Sequence, residues 1–168
     1  MKPAALILIA AALGWSQVRS LRIAPSTFST LEKSFDTRLE KAAADPMAVL
    51  GTTRGLYVEG YGAVFTTEID LIQTPNMLFM RSSPMTPKEV AAIHDRKSKN
   101  VATLKAAMTE MMKAAGRTLL QIPPDQKLTV AVRFLYLPWE NTAGLPSEIV
   151  MTATRIGAAE GNIKVDEQ

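Results

Sequence analysis

Glu68 and Asp70 stand two residues apart in "FTTEIDLI", a run with strand-like alternation, so both carboxylates are expected on one face of a strand. Two carboxylates on one face have the makings of a general acid and a general base. Arg133, in "TVAVRFLYL", and Arg155, in "TATRIG", fall in two further strand-like runs. If one sheet gathers all four, they form either cross-strand ion pairs or a charged groove for a polar ligand. A third acid, Glu140, follows Trp139 in "PWENTAGLPS", residues 138–147. The proline, asparagine and glycine of that stretch mark a surface loop, and loops carry binding more often than frameworks do. Trp139 and Glu140 are therefore the expected contact pair of this loop, unless Trp139 closes the end of the core.

Other chemistries find no residues to run on. There is no cysteine, which removes disulfides, thiol nucleophiles and thiolate metal sites. His94 is the sole histidine, and its neighbour Asp95 is expected on a different side of a helix, so the two make no dyad. The glycines of "GLYVEGYGAVF", residues 55–65, depart from the dinucleotide fingerprint, since Phe65 stands where its third glycine belongs. Glu59-Gly60 between two strand-like runs reads instead as the turn of a hairpin. Neither a metal nor a cofactor is called for. Arg96, Lys97 and Lys99 of "HDRKSKN" lack interleaved aromatics and read as a solvated helix face rather than a nucleic-acid surface.

The chain has 168 residues, of which 47% are hydrophobic and 21% charged, which fits one globular domain. Its first twenty residues, "MKPAALILIAAALGWSQVRS", place Lys2 before an uncharged run from Pro3 to Val18. That pattern is a secretory signal, too short to span a bilayer, or else an N-terminal anchor. Removing residues 1–20 removes Lys2 and Arg19, and the net charge of +3 falls to +1. Such a balance gives no reason to expect nucleic acid.

The elements that must position these groups follow from periodicity. Phe28, Leu31, Phe35, Leu39 and Ala42 recur at helical spacing, with Ser29 and Glu32 as a capping pattern and Pro46 as a stop. "TRGLYV" and "YGAVFTTEIDLI" read as a hairpin whose second strand buries Tyr61, Ala63, Phe65, Thr67, Ile69 and Leu71. "QTPNMLFMRSSPMTP" is a connection with a small apolar knot at Met77–Met80. Thr86-Pro87-Lys88-Glu89 then carries the cap, the first-turn proline and the third-position acid of a helix start. That helix continues to about Gly116 on the stripe Val101, Leu104, Met108, Met111, Met112 and Ala115. At 1.5 Å per residue it is about 45 Å long, so its first half is expected to overhang a four-stranded sheet or to kink near "KSKN". "KLTVAVRFLYLP" and "EIVMTATRI" are the last two strands, and the polar tail from Gly157 is expected to fray.

The expected architecture is α+β: a single layer of antiparallel sheet, about four strands in the order α-β-β-α-β-β, covered on one face by two helices. Residues 21–168 form that domain, after a leader of residues 1–20. The expected function is that of a small exported module, periplasmic or secreted, that binds an envelope protein or a small ligand without catalysis, with no nucleic-acid partner and no membrane span once the leader is gone. The alternatives are an acid/base enzyme drawing on Glu68, Asp70 and Glu140, and a structural accessory of an envelope assembly. Export predicts a mature N-terminus within a few residues of Leu21. Mass-spectrometric sequencing of the protein from its native host checks this, and an intact Met1 on cytoplasmic material would overturn it.

Overall fold

The computed structural model describes residues 23–73 and 84–168. The expected leader and the expected knot at Met77–Met80 lie outside them. In chain order the elements are helix α1 (Pro25–Lys41), strands β1 (Ala48–Val49), β2 (Arg54–Val58) and β3 (Gly62–Asp70), helix α2 (Pro87–Thr118), strands β4 (Lys127–Phe134) and β5 (Glu148–Thr154), helix α3 (Arg155–Glu160) and strand β6 (Lys164–Glu167). The fold is α+β. No described helix is long and apolar enough to cross a membrane.

The sheet runs β1-β3-β4-β5-β6, with β2 on the same edge of β3 as β1. It has six strands among the described residues where about four were expected, and it departs from the expected sheet in two further ways. First, β3 and β4 pair in parallel, Phe65 opposite Val130 and Glu68 opposite Arg133. A helix that crosses back between two neighbouring strands returns the chain to its starting end, so the second strand must run with the first. Reading the hairpins as independent units missed this. Second, the tail is ordered rather than frayed. Thr154 Oγ1 accepts the Gly157 N–H at 3.1 Å to start α3, Gly161 ends it at φ 90°, and β6 pairs with Ile149–Thr152. A six-residue helix and a four-residue charged strand are too short to leave a periodic trace.

Helix α1 starts at Pro25, and its N-cap is Ala24. The expected Ser29–Glu32 cap does not form: Ser29 Oγ donates back to Pro25 O, and Glu32 has a tertiary task instead. Glu32 accepts the Gly55 N–H at 2.7 Å, and Asp36 accepts the Thr53 N–H at 2.8 Å. Helix α1 thereby caps outward N–H groups along the β2 edge, which blunts that edge against strand addition. Its apolar stripe packs as expected. The rings of Phe28 and Phe35 lie 5.6 and 5.0 Å from that of Phe65.

Helix α2 carries the expected capping box: Glu89 N–H donates to Thr86 Oγ1, and the Glu89 carboxylate takes the Thr86 N–H. Its stripe from Val101 to Ala115 is buried against the same sheet face as α1. The helix is continuous and its first half does not overhang. The segment around Asp45 and the loop after β4 cover it, because Asn100 Nδ2 donates to Asp45 O and Leu71 O while Arg96 pairs with Asp45. The Arg96 guanidinium holds the Asp45 carboxyl below the usual carboxylate range, chiefly through its hydrogen bond.

The glycine-rich stretch is the expected hairpin turn. Tyr61 N–H donates to Val58 O at 3.0 Å, and Gly60 has φ 74°. Tyr61 lies outside the strand and is not a core residue: its hydroxyl meets Thr129 Oγ1 at 2.8 Å. Gly62 is present for a different reason. A β-carbon there would lie 1.9 Å from the Lys127 carbonyl oxygen, so only glycine lets β3 and β4 pair from their first residues. Gly60→Asn is expected to cost well under ~1 kcal/mol, and Gly60→Val more than ~1 kcal/mol, since asparagine tolerates positive φ and valine does not. Gly62→Ala should exceed both, because the strand pair itself must open. Urea titrations of the three variants check the order, and equal losses would contradict it.

Candidate functional site

At the carboxyl ends of the parallel pair, the sheet, helix α2 and the 135–147 loop meet around one amine. Lys97 Nζ lies 2.9 Å from Asp70 Oδ1 and 2.7 Å from Glu140 Oε2, and donates to Leu135 O at 3.3 Å. Its residue is 1% exposed. The expectation that Lys97 belongs to a solvated helix face is thus overturned. Sequence pattern placed it among Arg96 and Lys99, whereas the covering loop makes that turn of α2 an interior surface.

The ring of Tyr136 completes the cluster. Its centroid is 5.1 Å from Lys97 Nζ, and its hydroxyl donates to Pro146 O at 2.7 Å. Burial pushes the Tyr136 phenol up to about 12, and the negative charges of Glu140 and Asp70 add to the shift. His94 fastens the same loop one turn earlier, with Nε2–H donating to Ala143 O at 2.9 Å. Its Nδ1 comes to 3.6 Å from Asp95, closer than expected for helix neighbours but too long for a hydrogen bond. Glu140 Oε1 is buried and has no hydrogen-bond partner among the described residues.

This arrangement divides the acids that the sequence grouped together. Asp70 and Glu68 are two residues apart in β3 and alternation keeps them on one side, but Asp70, at the strand's end, is buried against Lys97 while Glu68 is exposed and lines a groove with Arg133, so their surroundings differ. Asp70 and Glu140, far apart in sequence, converge instead. Glu140 is turned inward, its side chain 2% exposed, and Trp139 is half-buried outside the core cluster. Arg155 is absent from the uncovered face, because β5 ends at Thr154 and Arg155 opens α3, where Nη1 donates to Gly116 O.

The uncovered face carries the remaining candidates. Arg54, Glu68, Arg133 and Glu148 line a shallow groove of about 390 Å³ there, with Leu50, Thr52, Thr66 and Ala131 between them. Glu68 and Arg133 are register partners, and so are Arg133 and Glu148. The cross-strand ion pairs expected of such neighbours do not form: none of the four makes an ion pair or a side-chain hydrogen bond with a described residue. Sequence reasoning named Glu68 and Arg133 but missed Arg54 and Glu148. Both stand at positions of the solvent-facing period, so the signal was there once strand register was known.

A second groove, of about 830 Å³, separates α1 from α2. Lys33, Arg38 and Lys41 edge it, facing Glu110. Among the described residues no group of three or more His, Asp or Glu is placed to hold a metal ion. No family model, curated protein or solved structure significantly matches this chain.

Chemically, the Lys97 amine joins two carboxylates by short charge-assisted contacts, which hold the three elements that carry them in one relation. The cluster is a fastener. Lys97→Met is expected to lower stability by about 3–5 kcal/mol, the usual effect of leaving buried carboxylates without their cation. Adding Asp70→Asn and Glu140→Gln to that variant should recover a large part of the loss. Urea unfolding of the single and triple variants measures both, and a loss below ~1 kcal/mol for Lys97→Met would contradict the assignment.

Proposed function

We propose that the protein is an exported, non-catalytic interaction module of the cell envelope, periplasmic or secreted, which meets its partner through the uncovered face of its sheet. One observation carries the reading. Arg54, Glu68, Arg133 and Glu148 alternate in sign on that face, at neighbouring positions, yet none makes an ion pair with a described residue. Charges left unpaired beside potential partners are available to complementary groups on another molecule. Exposed Leu56 and Val58 extend the same face with apolar surface. The second reading is an acid/base enzyme, favoured by the convergence of Asp70 and Glu140 on Lys97.

One experiment separates them. Tagged full-length protein and its Arg133→Glu and Glu140→Gln variants are expressed in the native host, cross-linked, and recovered from envelope extract. The interaction reading expects Arg133→Glu to lower recovery of the cross-linked partner about tenfold or more while leaving its urea midpoint unchanged. Undiminished recovery overturns it. The enzymatic reading expects the opposite pattern, with recovery intact in Arg133→Glu and the cellular phenotype lost in Glu140→Gln.

A further inference from the structure

We infer that the partner of the uncovered face is a second copy of this chain, docked about a two-fold axis that runs parallel to the strands between β3 and β4. The inference rests on the interaction reading above and names its partner.

Charge order selects this geometry. Across β2, β3, β4 and β5 the sequence of signs is plus, minus, plus, minus, from Arg54, Glu68, Arg133 and Glu148. Glu68, Arg133 and Glu148 lie at one level of the sheet. Arg54 is opposite Thr66, two residues or about 7 Å along the strand from that level, within reach of a long side chain. An alternating row with an even number of charges is its own complement when turned end for end. About an axis along the strands, Glu68 faces Arg133 of the second copy twice over, and Arg54 approaches Glu148 of the second copy. An axis across the strands would stack Glu68 on Glu68 and is rejected by the same charges.

The rest of the face fits a sheet-on-sheet contact. Two sheets pack about 10 Å apart with their strands nearly aligned, which is the arrangement this axis produces. Leu56 is 51% and Val58 40% exposed, and Val64, Ala131 and Val150 share their side of the sheet. Pairing through the β2 edge is obstructed instead, because Glu32 and Asp36 already occupy the N–H groups of Gly55 and Thr53. The four strands that face each other about this axis, β2 to β5, about 4.8 Å apart and about 20 Å long, give roughly 400 Å² of planar face on each copy, the low end for a specific interface. The dimer is therefore expected to depend on concentration. Its charges set the register, and its apolar side chains supply most of the affinity.

Sedimentation velocity of the mature protein isolated from its host, from about 1 to 500 µM, tests this. The wild type should pass from monomer to dimer within that range. Glu68→Arg and Arg133→Glu each place like charges face to face at two symmetry-related points, and each should weaken dimerisation about tenfold or more. The double swap Glu68→Arg with Arg133→Glu leaves the row self-complementary and should return the dissociation constant to within about threefold of the wild type. Urea midpoints close to the wild type confirm that each variant is folded. Monomer at every concentration, or a dimer that the single changes leave intact or the double swap fails to rescue, overturns the inference. If the wild type is monomeric while Arg133→Glu still abolishes partner recovery, the dimer is wrong and the face remains a recognition surface for another molecule. If recovery is also unchanged, both readings fall.

Discussion

The ammonium group of Lys97 ties together parts of the chain that nothing else joins so directly. It reaches from the first half of α2 to the last residue of β3 and to the loop that follows β4. An ion pair in such a place adds little net stability over a well-packed apolar cluster, because three charged groups must leave water to form it. What it does impose is a unique arrangement. A hydrophobic contact tolerates sliding, whereas a lysine between two carboxylates satisfies its hydrogen bonds in one geometry. The first half of α2, the end of β3 and the 135–147 loop are consequently held in one relation, and Asn100 and His94 fasten the same region on either side of it.

That constraint explains the asymmetry of the molecule. Both long helices are committed to one face of the sheet, α1 through the Phe28, Phe35 and Phe65 rings and α2 through its methionine-rich stripe. With the loop drawn over α2 as well, nothing described covers the other face. The groups left there are a row of unpaired charges and a few exposed aliphatic side chains. A sheet with one buried and one solvated face is ordinary for antiparallel strands. Neighbouring opposite charges that make no ion pair with a described residue are less ordinary, and they are why we propose recognition at this face rather than at the buried acids.

Burial also separates the two kinds of carboxylate. Glu140 and Asp70 have a partner that neutralises them and a tyrosine whose phenol their charge helps to keep protonated. Glu68 and Glu148 have no such partner among the described residues. The first pair is bound to Lys97, and the second makes no ion pair with a described residue. An assignment of function by residue type alone would have ranked them the other way, because an acid in a cluster looks more like a catalyst than an acid on an open strand.

Local chemistry determined much of this protein directly. Thr86, Pro87 and Glu89 specify a helix start among themselves, and the stripe from Val101 to Ala115 needs only its own spacing to define a buried face. Gly60 declares a turn because its neighbours are strand-like and its own φ is free. Where a group's fate rested on distant chain, the residues were silent. Glu32 looked like a cap because Ser29 precedes it by three, yet the Gly55 N–H supplied by β2 outcompetes that local bond. Lys97 looked solvated because its neighbours are charged, and only the return of the chain after β4 buries it. The parallel pairing of β3 with β4, the joining of Asp70 to Glu140 and the row from Arg54 to Glu148 were likewise decided by tertiary structure. Each depends on register between strands separated by a whole helix or hairpin, and a periodicity of two reveals which face a residue takes but not which residue stands beside it.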